Sequence, residues 1–164
     1  MRKFFLTFGY VGCIKYAPGT FGTIAAIPFA MLVLFYIGDQ TLFLLAIFLG
    51  VVGISEINKY EQITNTHDDK SIVIDEVAGV FFALSIYHSG IVGFLLSVIF
   101  FRVFDILKPS IIGKVDKKVK GGLGVMLDDV LAGFFAGLLS HIICQSLLKI
   151  DSLNDIKIFS ISLL

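Results

Sequence analysis

The chain is short of charge, of cysteine and of any excess of one sign, and each shortage narrows what it can do. Only 16% of its 164 residues are Asp, Glu, Lys or Arg, where soluble domains carry roughly a quarter. Its 13 basic and 13 acidic residues cancel, so no broad positive field exists to grip nucleic acid, which is excluded as a partner. Cys13 and Cys144 lie far apart with no C-x-x-C pair, which argues against a disulfide framework or a zinc site, and both read as reduced, small apolar residues. The opening MRKFFLTFGYVG is basic but has no long apolar stretch ending in a small-residue cleavage site, so a cleaved signal peptide is not expected.

Hydrocarbon fills the chain instead: 57% of residues are apolar and 17 are Phe, for a mean hydropathy of +0.94. Uncharged runs cover 16–38, 40–55, 77–101 and 130–148, against a need of ~20 apolar residues per membrane-spanning helix. The fold expected is all-α, a compact helical membrane bundle of about four to five short spans. Residues 1–150 read as a single domain and 151–164 as a polar tail.

Pro18-Gly19-Thr20-Phe21-Gly22-Thr23 opens a helix to about Ile37, and a second helix is expected from Thr41 to about Lys59. A polar stretch follows over 60–71, and another helix begins near Asp75. Residues 77–101 fit either one span or two helices broken at Tyr87-His88-Ser89-Gly90. Basic residues, which gather on the cytoplasmic side of short loops, favour the break. With a hairpin there, segments 1–20, 56–75 and 102–129 share one side and hold 11 of the 13 Lys and Arg. The first helix of that hairpin is then too short to cross a ~30 Å hydrocarbon core, and must be re-entrant or project into the headgroups.

The same topology gathers three acidic clusters at one face: Asp68/Asp69 with Asp75/Glu76, then Asp105, then Asp128/Asp129. Ala78, Gly79 and Ala83 follow the first, and Ala132, Gly133, Ala136 and Gly137 follow the last. Stripes of small residues let membrane helices pack closely, which would make the acidic ends neighbours. Crowded carboxylates repel and need a cation, and hard oxygen ligands favour Mg²⁺ or Mn²⁺ over zinc. Simple complementing of helix dipoles is the competing explanation. Arg102, Asp105 and Lys108 recur at i, i+3 and i+6, and Arg and Lys suit phosphate oxygens. Gly121-Gly122-Leu123-Gly124 offers backbone N–H groups to an anion, a weak signal alone. The run Lys114–Lys120 reads as a solvated or lipid-facing loop.

Three blocks together resemble the phosphatidylglycerophosphatase A family: His67-Asp68-Asp69-Lys70-Ser71-Ile72-Val73-Ile74-Asp75-Glu76-Val77-Ala78-Gly79, Phe100-Phe101-Arg102-Val103-Phe104-Asp105-Ile106-Leu107-Lys108-Pro109, and Gly121-Gly122-Leu123-Gly124-Val125-Met126-Leu127-Asp128-Asp129 with Ala132-Gly133. Pro18-Gly19-Thr20-Phe21-Gly22-Thr23 also matches. The resemblance implies a Mg²⁺-dependent enzyme of the bacterial inner membrane that removes the terminal phosphate of phosphatidylglycerophosphate to leave phosphatidylglycerol. The chain has no Cys-x₅-Arg, no D-x-D nucleophile motif, no paired-histidine lipid phosphatase pattern and no P-loop, absences that favour a carboxylate-metal hydrolase, by water attack or through a covalent aspartyl-phosphate.

Phosphoryl transfer needs its spreading charge stabilised and its attacking and leaving oxygens in line. On that chemistry Asp75, Glu76, Asp128 and Asp129 are the expected Mg²⁺ ligands. Asp68 or Asp105 would orient or deprotonate the attacking water, and His67 would protonate the leaving alkoxide. Arg102 and Lys108 would hold the phosphate. Thr20 and Thr23 would cap the first helix so that its N-terminus faces the anion. His88 and His141 stay away from the chemistry, interfacial and packed respectively. The site is expected on the cytoplasmic face. A non-catalytic ion carrier or anionic-lipid-binding protein remains the rival reading, although a carrier would usually place ionisable residues midway through its spans.

Overall fold

The computed structural model describes residues 1–66 and 69–162, with side chains followed to Lys149. Among the described residues there are helices and no strands. In chain order they are α1 (Arg2–Leu6), a 3₁₀ turn at Val11–Cys13, α2 (Pro18–Tyr36), α3 (Asp39–Thr64), α4 (Ile74–Ile86), α5 (Gly90–Leu107), α6 (Ile111–Lys118) and α7 (Gly121–Ser162). Among the described residues, four segments are long and apolar enough to span a membrane: Pro18–Tyr36, Asp39–Thr64, Gly90–Leu107 and Gly121–Lys149. Their outward faces carry Phe29, Leu32, Leu44, Phe48, Leu95 and Ile99, all exposed, as helices facing lipid require.

The break expected within 77–101 is present, since α4 ends at Ile86 and α5 begins at Gly90. The Ser97 hydroxyl donates 2.6 Å to the Tyr87 carbonyl, which stitches the turn to the helix that follows. With 13 residues, α4 is too short to count among the spans. It occupies the middle of the bundle instead, packed against α2, α3, α5 and α7. Val77, Ala78, Val80, Ala83 and Leu84 are fully buried there, so its backbone meets protein rather than lipid.

Small residues make the tightest of these contacts. A Cβ added at Gly79 would stand 2.8 Å from the Asp129 carbonyl oxygen, and one at Gly133 would collide with the Gly79 carbonyl. At Gly137 it would stand 2.7 Å from the Ala83 carbonyl. Ala78, Ala132 and Ala136 fill the same seam with no exposed surface. The expected stripe contact is therefore a backbone-to-backbone approach, and it sets α4 alongside α7.

Several local expectations are corrected. α7 starts at Gly121, with no acidic residue in its first turn, so Asp128 and Asp129 stand inside a helix rather than at its mouth. The glycines before them are helical because they pack: Gly122 lies against the Ile54 carbonyl, and its N–H donates 2.7 Å to Asn58 Oδ1. The run 114–120 is no loop, since α6 occupies most of it. Cys13 is exposed, whereas Cys144 is buried as expected, and both are free. His141 is exposed and meets Tyr87 edge to face at 5.0 Å.

Filling the glycine seam should loosen the bundle. Gly133→Ala is expected to cost about 1–3 kcal/mol, the usual range for overpacking. Gly50 on α3 has open space at the corresponding point, so Gly50→Ala should keep or raise the melting temperature. Thermal unfolding of both variants in detergent checks this. A Gly133→Ala protein as stable as Gly50→Ala would show that α4 and α7 are not in backbone contact.

Candidate active site

Four helices meet at one end of the bundle, and three of them deliver charge there. α2 brings Pro18 and Gly19, α4 brings Asp75 and Glu76 in its first turn, α5 brings Asp105 near its end, and α7 brings Asp128 and Asp129. α1 ties the same end down: Arg2 pairs with Glu56 at 2.7 Å, and the Val73 N–H donates 3.0 Å to the Leu6 carbonyl. Between the helices opens a cavity of about 330 Å³, also lined by Asp69, Lys70, Lys108 and Asp116.

One carboxylate oxygen each from Asp75, Glu76 and Asp129 lies within 4.8 Å of the other two, close enough to ligate a single ion. Glu76 Oε2 is buried without a partner. Asp75 accepts only a 3.1 Å bond from the adjacent Glu76 N–H among the described contacts. Burial pushes the Asp75 carboxyl well above the usual carboxylate range, and the Glu76 charge adds to the shift. Burial likewise pushes Glu76 up to about 7; the Asp129 and Asp105 charges add to this, while a hydrogen bond with Asp75 opposes it. No basic side chain pairs with any of the three among the described ion pairs, and all their donors are hard oxygens, so the residues present suit Mg²⁺ or a similar ion. Dipole complementing does not explain the trio, because Asp129 is past the first turn of α7.

The neighbouring carboxylates differ because each has a cation at hand. Arg102 Nη1 donates 2.5 Å to Asp105 Oδ2. Lys108 Nζ bridges Asp116 at 2.5 Å and Asp128 at 2.6 Å. Burial alone would lower the Lys108 ammonium, but these two acidic partners outweigh it and hold it above its usual range. Asp128 keeps a second, buried oxygen, Oδ1, without a partner. Asp69 accepts from the Ser71 N–H and from the Tyr60 hydroxyl, both at 2.9 Å, and these bonds hold its carboxyl below the usual range despite partial burial.

Of the residues singled out in the sequence, Asp75, Glu76, Asp105, Lys108, Asp128 and Asp129 line the cavity. Arg102 stands behind Asp105, outside the wall, with its Nε buried and unpartnered. Thr20 and Thr23 do not cap α2, which starts at Pro18 with no side-chain cap. Their hydroxyls accept from Arg102 instead, at 3.3 and 3.4 Å, and Thr23 also donates to the Gly19 carbonyl. His67 and Asp68 lie outside the described residues. Sequence reasoning missed Asp116, hidden in a lysine run, and Gly19, whose absent side chain leaves room for the Glu76 carboxylate. Only the folded contacts reveal either residue, Lys108 for Asp116 and Glu76 for Gly19.

The comparisons with known proteins decide the family. The chain belongs to the phosphatidylglycerophosphatase A family. That family's model matches residues 4–144, which include every cavity residue. A Haemophilus influenzae protein named phosphatidylglycerophosphatase A is 36% identical over 126 residues, 76% of this chain and 77% of the relative. An Escherichia coli protein of the same name is 35% identical over 138 residues, covering 80% and 77% respectively. A Bacteroides thetaiotaomicron protein provisionally named phosphatidylinositol-3-phosphatase is 34% identical over 140 residues, covering 78% and 84%. No solved structure matches the chain.

The raised carboxyls of Asp75 and Glu76 make the cation-free protein sensitive to alkali. A carboxyl whose pKa is raised on folding stabilises the fold fully below its unfolded value, ~4.3 for Glu. That stability is lost as pH rises through the folded value, about 7 for Glu76. In excess chelator the melting temperature should therefore fall between pH 5.5 and 8.5, and Glu76→Gln should flatten the fall. An unchanged melting temperature across that window would show that the two carboxyls are not desolvated.

Proposed function

We propose that the protein hydrolyses the terminal phosphomonoester of phosphatidylglycerophosphate, releasing phosphate and leaving phosphatidylglycerol. One observation carries the reading: Asp75, Glu76 and Asp129 converge within 4.8 Å, unpaired with any basic side chain among the described ion pairs, in a cavity that also presents Lys108, in a chain of this family. Asp75, Glu76 and Asp129, joined by the free Oδ1 of Asp128, would hold Mg²⁺. Bound there, the ion would neutralise charge on the phosphoryl oxygens and make water more acidic.

The chain's own groups supply the rest. Lys108 spends two of its three N–H donors on Asp116 and Asp128, and the third is free to bind a phosphoryl oxygen. Asp105, held by Arg102, orients the attacking water and accepts its proton as the water oxygen bonds to phosphorus. The phosphorus–glycerol oxygen bond breaks in line with that attack. The leaving alkoxide takes a proton, and His67, two residues before the cavity-lining Asp69, is the general acid we assign. Asp68 beside it is the alternative base. Arg102 acts on phosphate through Asp105, with Thr20 and Thr23 holding its guanidinium in place.

The bacterial inner membrane, with the cavity at its cytoplasmic face, is the location we infer. The four apolar spans, the crowding of Lys and Arg into segments that meet at the cavity end, and the bacterial relatives support it. A carrier is disfavoured because the acidic groups gather at one end of the bundle rather than along a path through it.

Phosphate release from phosphatidylglycerophosphate by detergent-purified protein should stop in EDTA and return with Mg²⁺. Asp75→Asn and Asp129→Asn should each lower turnover about 10²–10³-fold, as loss of one preorganised electrostatic group does. Lys117→Ala, on the exposed side of α6, should leave turnover unchanged. Full turnover in excess EDTA, or in both Asn variants, would refute the mechanism.

Gly19→Ala tests the site from another direction. Its methyl would meet Glu76 Oε1, while Ala suits the first turn of α2 better than Gly. Turnover should drop on the order of 10²-fold, as for small misplacements of catalytic groups, with the melting temperature kept or raised. Wild-type turnover in this variant would show that the Glu76 position is not critical.

A further inference from the structure

Beside the carboxylate cavity is a second cavity, of about 420 Å³, between the end of α5, α6 and the middle of α7. Phe104, Pro109, Ile111, Phe135, Leu138 and Ile142 wall it. Among the described residues it carries no charge, and its one hydroxyl is that of Ser110. A volume of this size is within the range of small-molecule sites.

Two features join it to the chemistry. First, α6 borders both spaces: Asp116 lines the carboxylate cavity and Ile111 the apolar groove. Second, Lys108, which lines the carboxylate cavity, is followed at once by Pro109 and Ser110, which line the groove. Lys108 and Ser110 both have positive φ, 44° and 50°. Residues with side chains hold that conformation only where their surroundings impose it, and such positions cluster at functional sites.

We propose that this groove seats one acyl chain of the phospholipid whose headgroup phosphate enters the carboxylate cavity. The inference rests on the lipid-phosphatase reading above. Lipid tails are as apolar as the groove, so a chain gains little attraction by leaving the bilayer for it. The groove contributes position instead. A chain held along α5 and α7 sets the glycerol backbone beside Pro109 and the terminal phosphate beside Lys108, and such alignment is a large part of enzymatic rate. A headgroup without acyl chains meets the same charges but is not aligned by them.

Two measurements test this. In vesicles, phosphatidylglycerophosphate carrying a diazirine midway along one acyl chain should crosslink to the α7 peptide holding Leu138 and Ile142. Labelling should exceed that by phosphatidylcholine with the same diazirine chain several-fold. Equal labelling by the two probes, or labelling elsewhere, would mean a bulk-lipid contact only and overturn the proposal. In kinetics, Leu138→Trp and Ile142→Trp should lower kcat/KM for the dipalmitoyl substrate about tenfold to a hundredfold, in keeping with lost alignment. Both should leave kcat/KM for the deacylated headgroup unchanged. Phe48→Trp, which lines neither cavity, should leave both substrates unaffected. Equal losses on the two substrates, or no loss on either, would also overturn the groove. If wild-type protein releases phosphate from neither substrate, the lipid-phosphatase reading fails, and selective crosslinking still decides whether the groove seats the chain.

Discussion

The backbone contact between α4 and α7 is the constraint on which the rest depends. Within a bilayer, burying apolar side chains draws helices together only weakly, because lipid solvates them equally well. Close approach of the backbones supplies the attraction instead, and here it needs Gly79, Gly133 and Gly137 in register. That register places Asp75 and Glu76 of one helix beside Asp129 of the other. Repulsion among the carboxylates opposes the pairing, so the seam deeper in the bundle holds together charges that would otherwise separate.

Basic side chains then sort the carboxylates into two groups. Arg102 takes Asp105, and Lys108 takes Asp116 together with one oxygen of Asp128. No such partner reaches Asp75, Glu76 or Asp129 among the described ion pairs. The cavity thus contains compensated acids, held in fixed positions, around an uncompensated trio with a standing demand for positive charge. Coulomb interactions grow as water is excluded, and buried Asp129 feels this difference most within the trio.

Much of this could be read in the sequence wherever one residue type and one period were enough. The small-residue stripes after Asp75/Glu76 and Asp128/Asp129 announced the seam, and the distribution of Lys and Arg announced the break between α4 and α5. Arg102 and Asp105, at i and i+3, were bound to be neighbours once their segment was helical. The start of α7 was obscured because three glycines in four residues resemble a loop. Asn58 and Ile54 of α3 come close to Gly121 and Gly122, and the Val119 carbonyl comes close to Gly124, so packing rather than a loop explains them. Thr20 and Thr23 looked like caps because local chemistry cannot show an arginine 82 and 79 positions away. Asp116 was concealed differently, since its partner Lys108 is only 8 positions away but lies across a turn, and the run around it is rich in lysine.

The shortness of α4 bears on how the molecule is made. At ~1.5 Å per residue its 13 residues reach only about 20 Å, so lipid cannot hold it across the membrane in its own right. It needs walls, and α7, the most extensive of them, is synthesised last. A nascent chain that has produced α2 to α5 already possesses Asp75, Glu76 and Asp105 but has nothing to clamp them against. The acidic cluster is therefore a product of the closed α4–α7 seam, because α4 alone cannot bring Asp75 and Glu76 to Asp128 and Asp129.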